Sequence, residues 1–255
     1  MNKNVRLIAQ ILVTSLFFLW AIAHNLNDVL IKQFQKALEL SRGQAGFIQF
    51  AFYLGYFLMA LPAGLVIKKY GYKRGILFGL LLYAVGALLF LPAAELQAYG
   101  FFLFALFIIA SGLTFLETAA NPYITLLGDT ESSEQRLNFA QAFNGLGAVV
   151  GPVIGGAFIL SGIEYTDQQL ASMSAEQLTE YRTMEAHSVQ VPYLIVALVV
   201  LMFAFLIFRS KMPEFVAEKD EAFRWTIFKR RHFVWGRGRT VLLCRCAGRD
   251  LELLY

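Results

Sequence analysis

The sequence predicts an all-α membrane protein with six transmembrane helices and a non-membrane C-terminal tail. Three observations carry this. First, the 255-residue chain is 58% hydrophobic and 16% charged, whereas soluble domains run at about 45–50% apolar and about 25% charged. Too little polar surface remains to cover a soluble globule of this size, so the bilayer is the expected solvent. Second, six apolar stretches reach the roughly 20 residues a helix needs to cross the hydrocarbon core. Third, basic residues collect at alternate ends of those stretches.

Span one, Leu7–Phe34, follows Lys3 and Arg6. It is too long for a signal-peptide core and no small-residue cleavage site follows it, so it reads as a retained helix. Span two, Gly46–Ile67, runs into Lys68 and Lys69, and span three, Gly75–Ala94, begins just after Lys73 and Arg74. Span four is Gly100–Leu127, with Pro122 expected to kink it by removing one backbone donor. Span five is Leu137–Leu160, and span six, Val191–Phe208, is followed by Arg209 and Lys211. Between the last two lies the longest connection, Ser161–Gln190, polar and with a short surface helix expected over Ala175–Arg182.

With six spans, the N-terminus, the loop after span two and the segment after span six share one side. Their lysines and arginines make that side cytoplasmic by the positive-inside rule. Lys32, Lys36 and Arg42 after span one are a mild exception. The connection after span five is acidic, as the opposite side should be, with Glu164, Asp167, Glu176, Glu180 and Glu185 against Arg182. The expected location is a bacterial inner membrane, multi-pass. The net charge of +4 flanks apolar segments, so it does not point to nucleic acid.

No His-x-x-x-His pair, Gly-x-Ser-x-Gly elbow or phosphate loop occurs. No enzyme activity, catalytic residue, metal site or cofactor is therefore expected. Cys244 and Cys246, both in the tail, are weak support for a metal site.

Function is read from polar residues at membrane depth. Asp28 lies in span one and Glu117 in span four. A carboxylate at mid-bilayer costs roughly 2.5–3.5 kcal/mol on insertion scales, so such groups face a bundle interior or a watery cavity and are candidates to carry protons. Asn25 lies three residues before Asp28, and Asn121 four after Glu117, so each pair shares a helix face. In span five, Asn138, Gln141 and Asn144 recur every third residue. Three helices thus carry amide stripes, two of them with a carboxylate. Amides and carboxylates suit a sugar, whose hydroxyls both donate and accept, and Trp20, Phe18 or Tyr53 could stack on its apolar face. The plain alternative is that such amides join helices. His24 beside the stripe is read as a packing or hydrogen-bonding residue. Gly145, Gly147, Gly151, Gly155 and Gly156 crowd span five around Pro152 and are read as a helix-packing face.

The strings Phe17-Phe18-Leu19-Trp20-Ala21 and Asn25-Leu26-Asn27-Asp28 resemble span one of the fucose/galactose/glucose:proton permeases, a branch of the major facilitator superfamily. Leu116-Glu117-Thr118-Ala119-Ala120-Asn121-Pro122 resembles their span four, and Arg136-Leu137-Asn138 through Gln141-Ala142-Phe143-Asn144 their span five. The resemblance runs from about Leu7 to about Trp235. It implies the N-terminal half of a twelve-helix fold with alternating access around a midplane site. It further implies proton-coupled sugar uptake, L-fucose ahead of galactose or glucose, with Asp28 as coupling proton carrier. Glu117 would bind sugar and link it to protonation, and Asn25, Gln141 and Asn144 would line the cavity beside Asn121. Implied partners are the sugar, protons, membrane lipid and a second transporter half.

Two departures stand out. The superfamily loop between spans two and three usually reads Gly-x-x-x-Asp-Arg/Lys-x-Gly-Arg-Lys; in Gly64 to Lys73, Lys68 takes the acidic place. Gly147-x-x-x-Gly151-Pro152-x-x-Gly155-Gly156 resembles the span-five signature of drug:proton antiporters, which keeps that function as an alternative.

The organisation expected is a six-helix half over residues 1–210 and a cytoplasmic linker with an aberrant basic tail over 211–255. From Gly236 the tail is basic and aperiodic. Codons for it read one base later admit an apolar string resembling the start of a seventh span. A single-base change near Trp235 would then have truncated the protein into an inactive half; the coding DNA tests this.

Overall fold

The structure is a computed structural model that describes residues 3–37, 40–96, 98–158, 165, 169, 172–187 and 189–215. It is helical, with six helices long and apolar enough to cross a membrane. They are α1 (Lys3–Ala37), α2 (Arg42–Tyr70), α3 (Tyr72–Leu96), α4 (Tyr99–Leu126), α5 (Ser133–Phe158) and α7 (Gln190–Arg209), with a surface helix α6 (Ala175–His187). Each spanning helix begins one to four residues before its apolar stretch, because its backbone can stay helical in the interface after the side chains turn polar. The tail from residue 216, with Cys244, Cys246 and the basic segment from Gly236, lies outside the described residues, and with it the reading of a shifted frame.

Local signals set several ends. Ser41 caps α2 in a reciprocal box with Gln44, and Ser174 and Gln177 do the same for α6. Gly71 alone separates α2 from α3, with φ at 88°. That left-handed backbone favours glycine. α4 remains helical through Pro122, so the expected kink does not break it.

Charged side chains bind the helix ends where Arg6, Lys73 and Arg136 sit. The last carbonyls of a helix lack intrahelical partners. At the end of α4, Arg136 donates from Nε to Ile124 O (3.2 Å) and from Nη2 to Thr125 O (2.7 Å) and Asp129 O (3.1 Å). Arg6 Nε and Gln10 Nε2 of α1 both donate to Leu127 O, at 2.8 and 3.1 Å. Lys73 Nζ donates to Phe208 O and Ser210 O beyond α7, at 3.3 and 2.7 Å. The following segment is strapped down by Tyr123, whose hydroxyl donates to Pro213 O at 2.7 Å and whose ring meets Phe215. Glu214 approaches Gly71 and, at 4.0 Å, Arg74.

The core pairs α3 with α4, α1 with α5, α2 with α4 and α3 with α7. Spans one and four thus each pack on the second helix of the other triplet, the pattern expected if the two triplets are repeats of one unit. The α1–α5 seam is made by glycines. A β-carbon on Gly147 would lie 2.6 Å from Phe18 O, one on Gly151 3.1 Å from the Asn25 β-carbon, and one on Gly155 2.7 Å from Val29 Cγ2. The packing role expected for this run holds at those three positions, while Gly145 and Gly156 meet little or nothing across the seam. Gly147→Leu should force α5 off α1 and lower stability by about 1–3 kcal/mol or more. Thermal unfolding in detergent, compared with Gly145→Leu as a mild control, checks this.

Candidate functional site

The α1–α5 seam and the α4–α5 contact bring the predicted polar stripes together. A cavity of about 230 Å³ is lined by Trp20, Ala21, His24 and Asn25 of α1, Glu117 and Asn121 of α4, and Gln141 and Asn144 of α5. Five expected residues, Asn25, Glu117, Asn121, Gln141 and Asn144, therefore meet in one place. The backbone of Asp28 belongs to α1, but its side chain lies outside those described.

The amides are oriented by the protein. Asn25 Nδ2 donates to Ala21 O at 2.7 Å, and Asn121 Nδ2 to Glu117 O at 2.9 Å, each one helical turn back. Gln141 Nε2 reaches Asn121 Oδ1 at 3.2 Å, linking α5 to α4. Asn144 Nδ2 reaches Phe17 O at 3.3 Å, linking α5 to α1. Helix joining and cavity lining are thus compatible. An amide can make four hydrogen bonds, two donated and two accepted, and each amide above spends one or two of them. Six of the eight lining residues are polar, so the cavity offers donors and acceptors from three helices to a solute bearing both.

Three expectations are refined. Asn138 is exposed and does not line the cavity. Trp20 does line it, whereas Phe18 and Tyr53 are not among the lining residues. His24 both packs and lines, its ring meeting Phe52 edge-on at 5.4 Å and Tyr53 and Tyr56 at 6.4 Å.

One contact of the candidate site was missed from sequence. Tyr56 of α2 donates its hydroxyl to Glu117 Oε1 at 2.7 Å. The signal was available: Tyr56 lies one turn after Phe52, which is buried, and a tyrosine on a buried face needs a partner for its hydroxyl.

A second, more apolar cavity of about 550 Å³ lies nearer the basic ends of α1 and α5, walled by Leu7, Ile11, Phe139 and Phe143 with Arg136 and Gln10 among its polar residues.

Six membrane-length helices, three of which line a polar cavity, define a multi-pass membrane protein with a solute-sized space between its helices. The profile of the Major Facilitator Superfamily matches residues 9–249, and the chain belongs to that superfamily. It is 53% identical over 203 residues to the L-fucose-proton symporter of Escherichia coli K12, an alignment covering 79% of this chain and 46% of that protein. It is 41% identical over 230 residues to a glucose/galactose transporter of Brucella abortus, covering 88% of this chain and 52% of that one. Among solved structures, the transporter FucP in its outward conformation superposes with a TM-score of 0.74 at 47% identity, over 91% of this chain and 56% of FucP. A bacterial homologue of the lysosomal transporter Spinster shares the fold at 18% identity and a TM-score of 0.61. The chain spans about half the length of the curated relatives it matches.

Proposed function

We propose that this chain supplies the N-terminal half of a proton-coupled sugar transporter, with L-fucose as the first candidate solute and galactose or glucose next. The observation that carries the reading is the convergence of four amides and one carboxyl from three helices on one small cavity. Similarity to L-fucose-proton symporters and glucose/galactose transporters supports the choice of solute. Glu117 binds sugar and carries a proton; Asp28, three residues beyond Asn25 on α1, is the second proton carrier. Asn25, Asn121, Gln141 and Asn144 bond the hydroxyls, and Trp20 packs on the ring.

Drug:proton antiport rested on the span-five glycines. Gly147, Gly151 and Gly155 are accounted for by close packing on α1, and drug-sized pockets usually run to about 300–1,000 Å³ with mostly apolar walls, unlike the cavity at Glu117; the second cavity falls in that range, but its lining holds no carboxylate among the described residues to couple a proton. In the membrane, the end bearing Arg6, Lys68, Lys73 and Arg209 is cytoplasmic in this proposal, which fits the positive-inside rule. A second six-helix half closes the cavity. α2 and α5 are the least buried of the six spans and expose Phe57, Leu61, Phe139 and Val149 for that half or for lipid.

The test is binding to the chain assembled with a second half in lipid nanodiscs, read by Trp20 emission with Trp225 and Trp235 replaced by Phe. A saturable response to L-fucose, weakened about tenfold or more by Asn144→Ala as expected for losing hydrogen bonds to a solute, supports the proposal. A response to a lipophilic cation and none to sugars would favour the antiporter.

A further inference from the structure

Tyr56 comes from α2, a helix that contributes no residue to the cavity lining. Its hydroxyl nevertheless holds Glu117 Oε1 at 2.7 Å. The Tyr56 ring is itself held between Phe52, with centroids 5.5 Å apart, and the edge of His24 at 6.4 Å. His24 of α1, Tyr53 of α2 and Tyr83 of α3 are the other titratable groups within electrostatic reach of this pair. Tyr83 brings a buried hydroxyl that finds no hydrogen-bond partner among the described residues.

A carboxyl on a two-carbon stem has rotamer freedom that binding must remove, and each such loss weakens a ligand. Fixing the group beforehand from a neighbouring helix avoids that cost. We propose that Tyr56 is a positioning residue for Glu117: its hydroxyl secures Oε1 from the α2 side, so that a solute hydroxyl meets an already oriented carboxyl in the cavity. The bond also ties α2, which packs on α4, to the chemical state of Glu117. A phenol donates well to a carboxylate and less well to a protonated carboxyl, since charge-assisted bonds are roughly twice as strong as neutral ones. The last step, presentation to a solute, rests on the sugar-site reading above; the fixing of Glu117 does not.

Tyr56→Phe removes the hydroxyl and keeps the ring. Infrared difference spectra of the purified chain, with the Glu117 band assigned by subtracting Glu117→Gln, should show that band shifted in Tyr56→Phe and unmoved in Tyr53→Phe. With the second half supplied, L-fucose should bind about two- to tenfold more weakly to Tyr56→Phe, the cost of ordering one side chain on binding. The same substitution should add nothing in the Glu117→Asp background, where the shortened side chain has already lost the contact. An unmoved Glu117 band in Tyr56→Phe, or additive losses in the double variant, overturns the proposal. Should Tyr56→Phe not fold, the tyrosine C–O stretching band in difference spectra of wild type against Glu117→Ala gives the test from the phenol side: a shifted band supports the pairing and an unmoved one overturns it. A shifted band together with no L-fucose binding by the wild type supports the pairing and overturns the sugar reading alone.

Discussion

Glu117→Gln is expected to abolish pH-gradient-driven accumulation of L-fucose in vesicles containing this chain and a second half, down to the background of vesicles without protein. The substitution keeps the size of the side chain and an oxygen that can accept from Tyr56, so the fold and the Tyr56 contact at 2.7 Å should survive. What it removes is the ability to gain and lose a proton. Among the described residues lining the cavity Glu117 is the one carboxylate, and a carboxylate at membrane depth is costly enough that its retention demands a use. Asp28→Asn should likewise uncouple uptake from the pH gradient. Accumulation by either variant at the wild-type level would remove that residue from proton coupling.

Arg136→Ala is expected to give the largest loss of stability among single substitutions outside the cavity. The guanidinium donates to the carbonyls of Ile124, Thr125 and Asp129 and to Ser132 Oγ, so four acceptors around the end of α4 lose their donor together. Each hydrogen bond to a charged group contributes about 1.5–3 kcal/mol, less than additively, which places the loss at roughly 3–5 kcal/mol. Arg136→Lys should recover little, because a point charge cannot reproduce a fork that reaches several carbonyls. Unfolding in detergent measures both; a midpoint within a degree or two of wild type in Arg136→Ala would show that water replaces the arginine without cost.

The spans were legible because a bilayer demands long apolar runs whatever the tertiary packing. The cavity residues were legible for a related reason: Asn25, Glu117, Asn121, Gln141 and Asn144 are polar where lipid would exclude them. Asn138 shows the limit of that reasoning. A helix turns about 100° per residue, so a three-residue spacing drifts by about 60° at each step, and Asn138 points about 120° away from Asn144. That the Tyr56 hydroxyl needs a partner was legible, but that the partner is Glu117 was not, because the contact joins α2 to α4 across 61 positions of sequence. Lys73 read as a charge that sets orientation and Arg136 as part of the span-five string, yet they also cap the ends of α7 and α4. Which carbonyls lie within reach of such side chains depends on how the helices pack, and spacing along one helix does not encode that.

The central claim is that the cavity at Glu117 moves a sugar together with a proton. Its most direct test is uptake of labelled L-fucose by cells lacking their own permease and expressing this chain with a second six-helix half. The account predicts uptake that collapses when a protonophore dissipates the pH gradient and that is absent in Glu117→Gln. Uptake indifferent to both the protonophore and Glu117→Gln, or none at all with both halves present in the membrane, would contradict it.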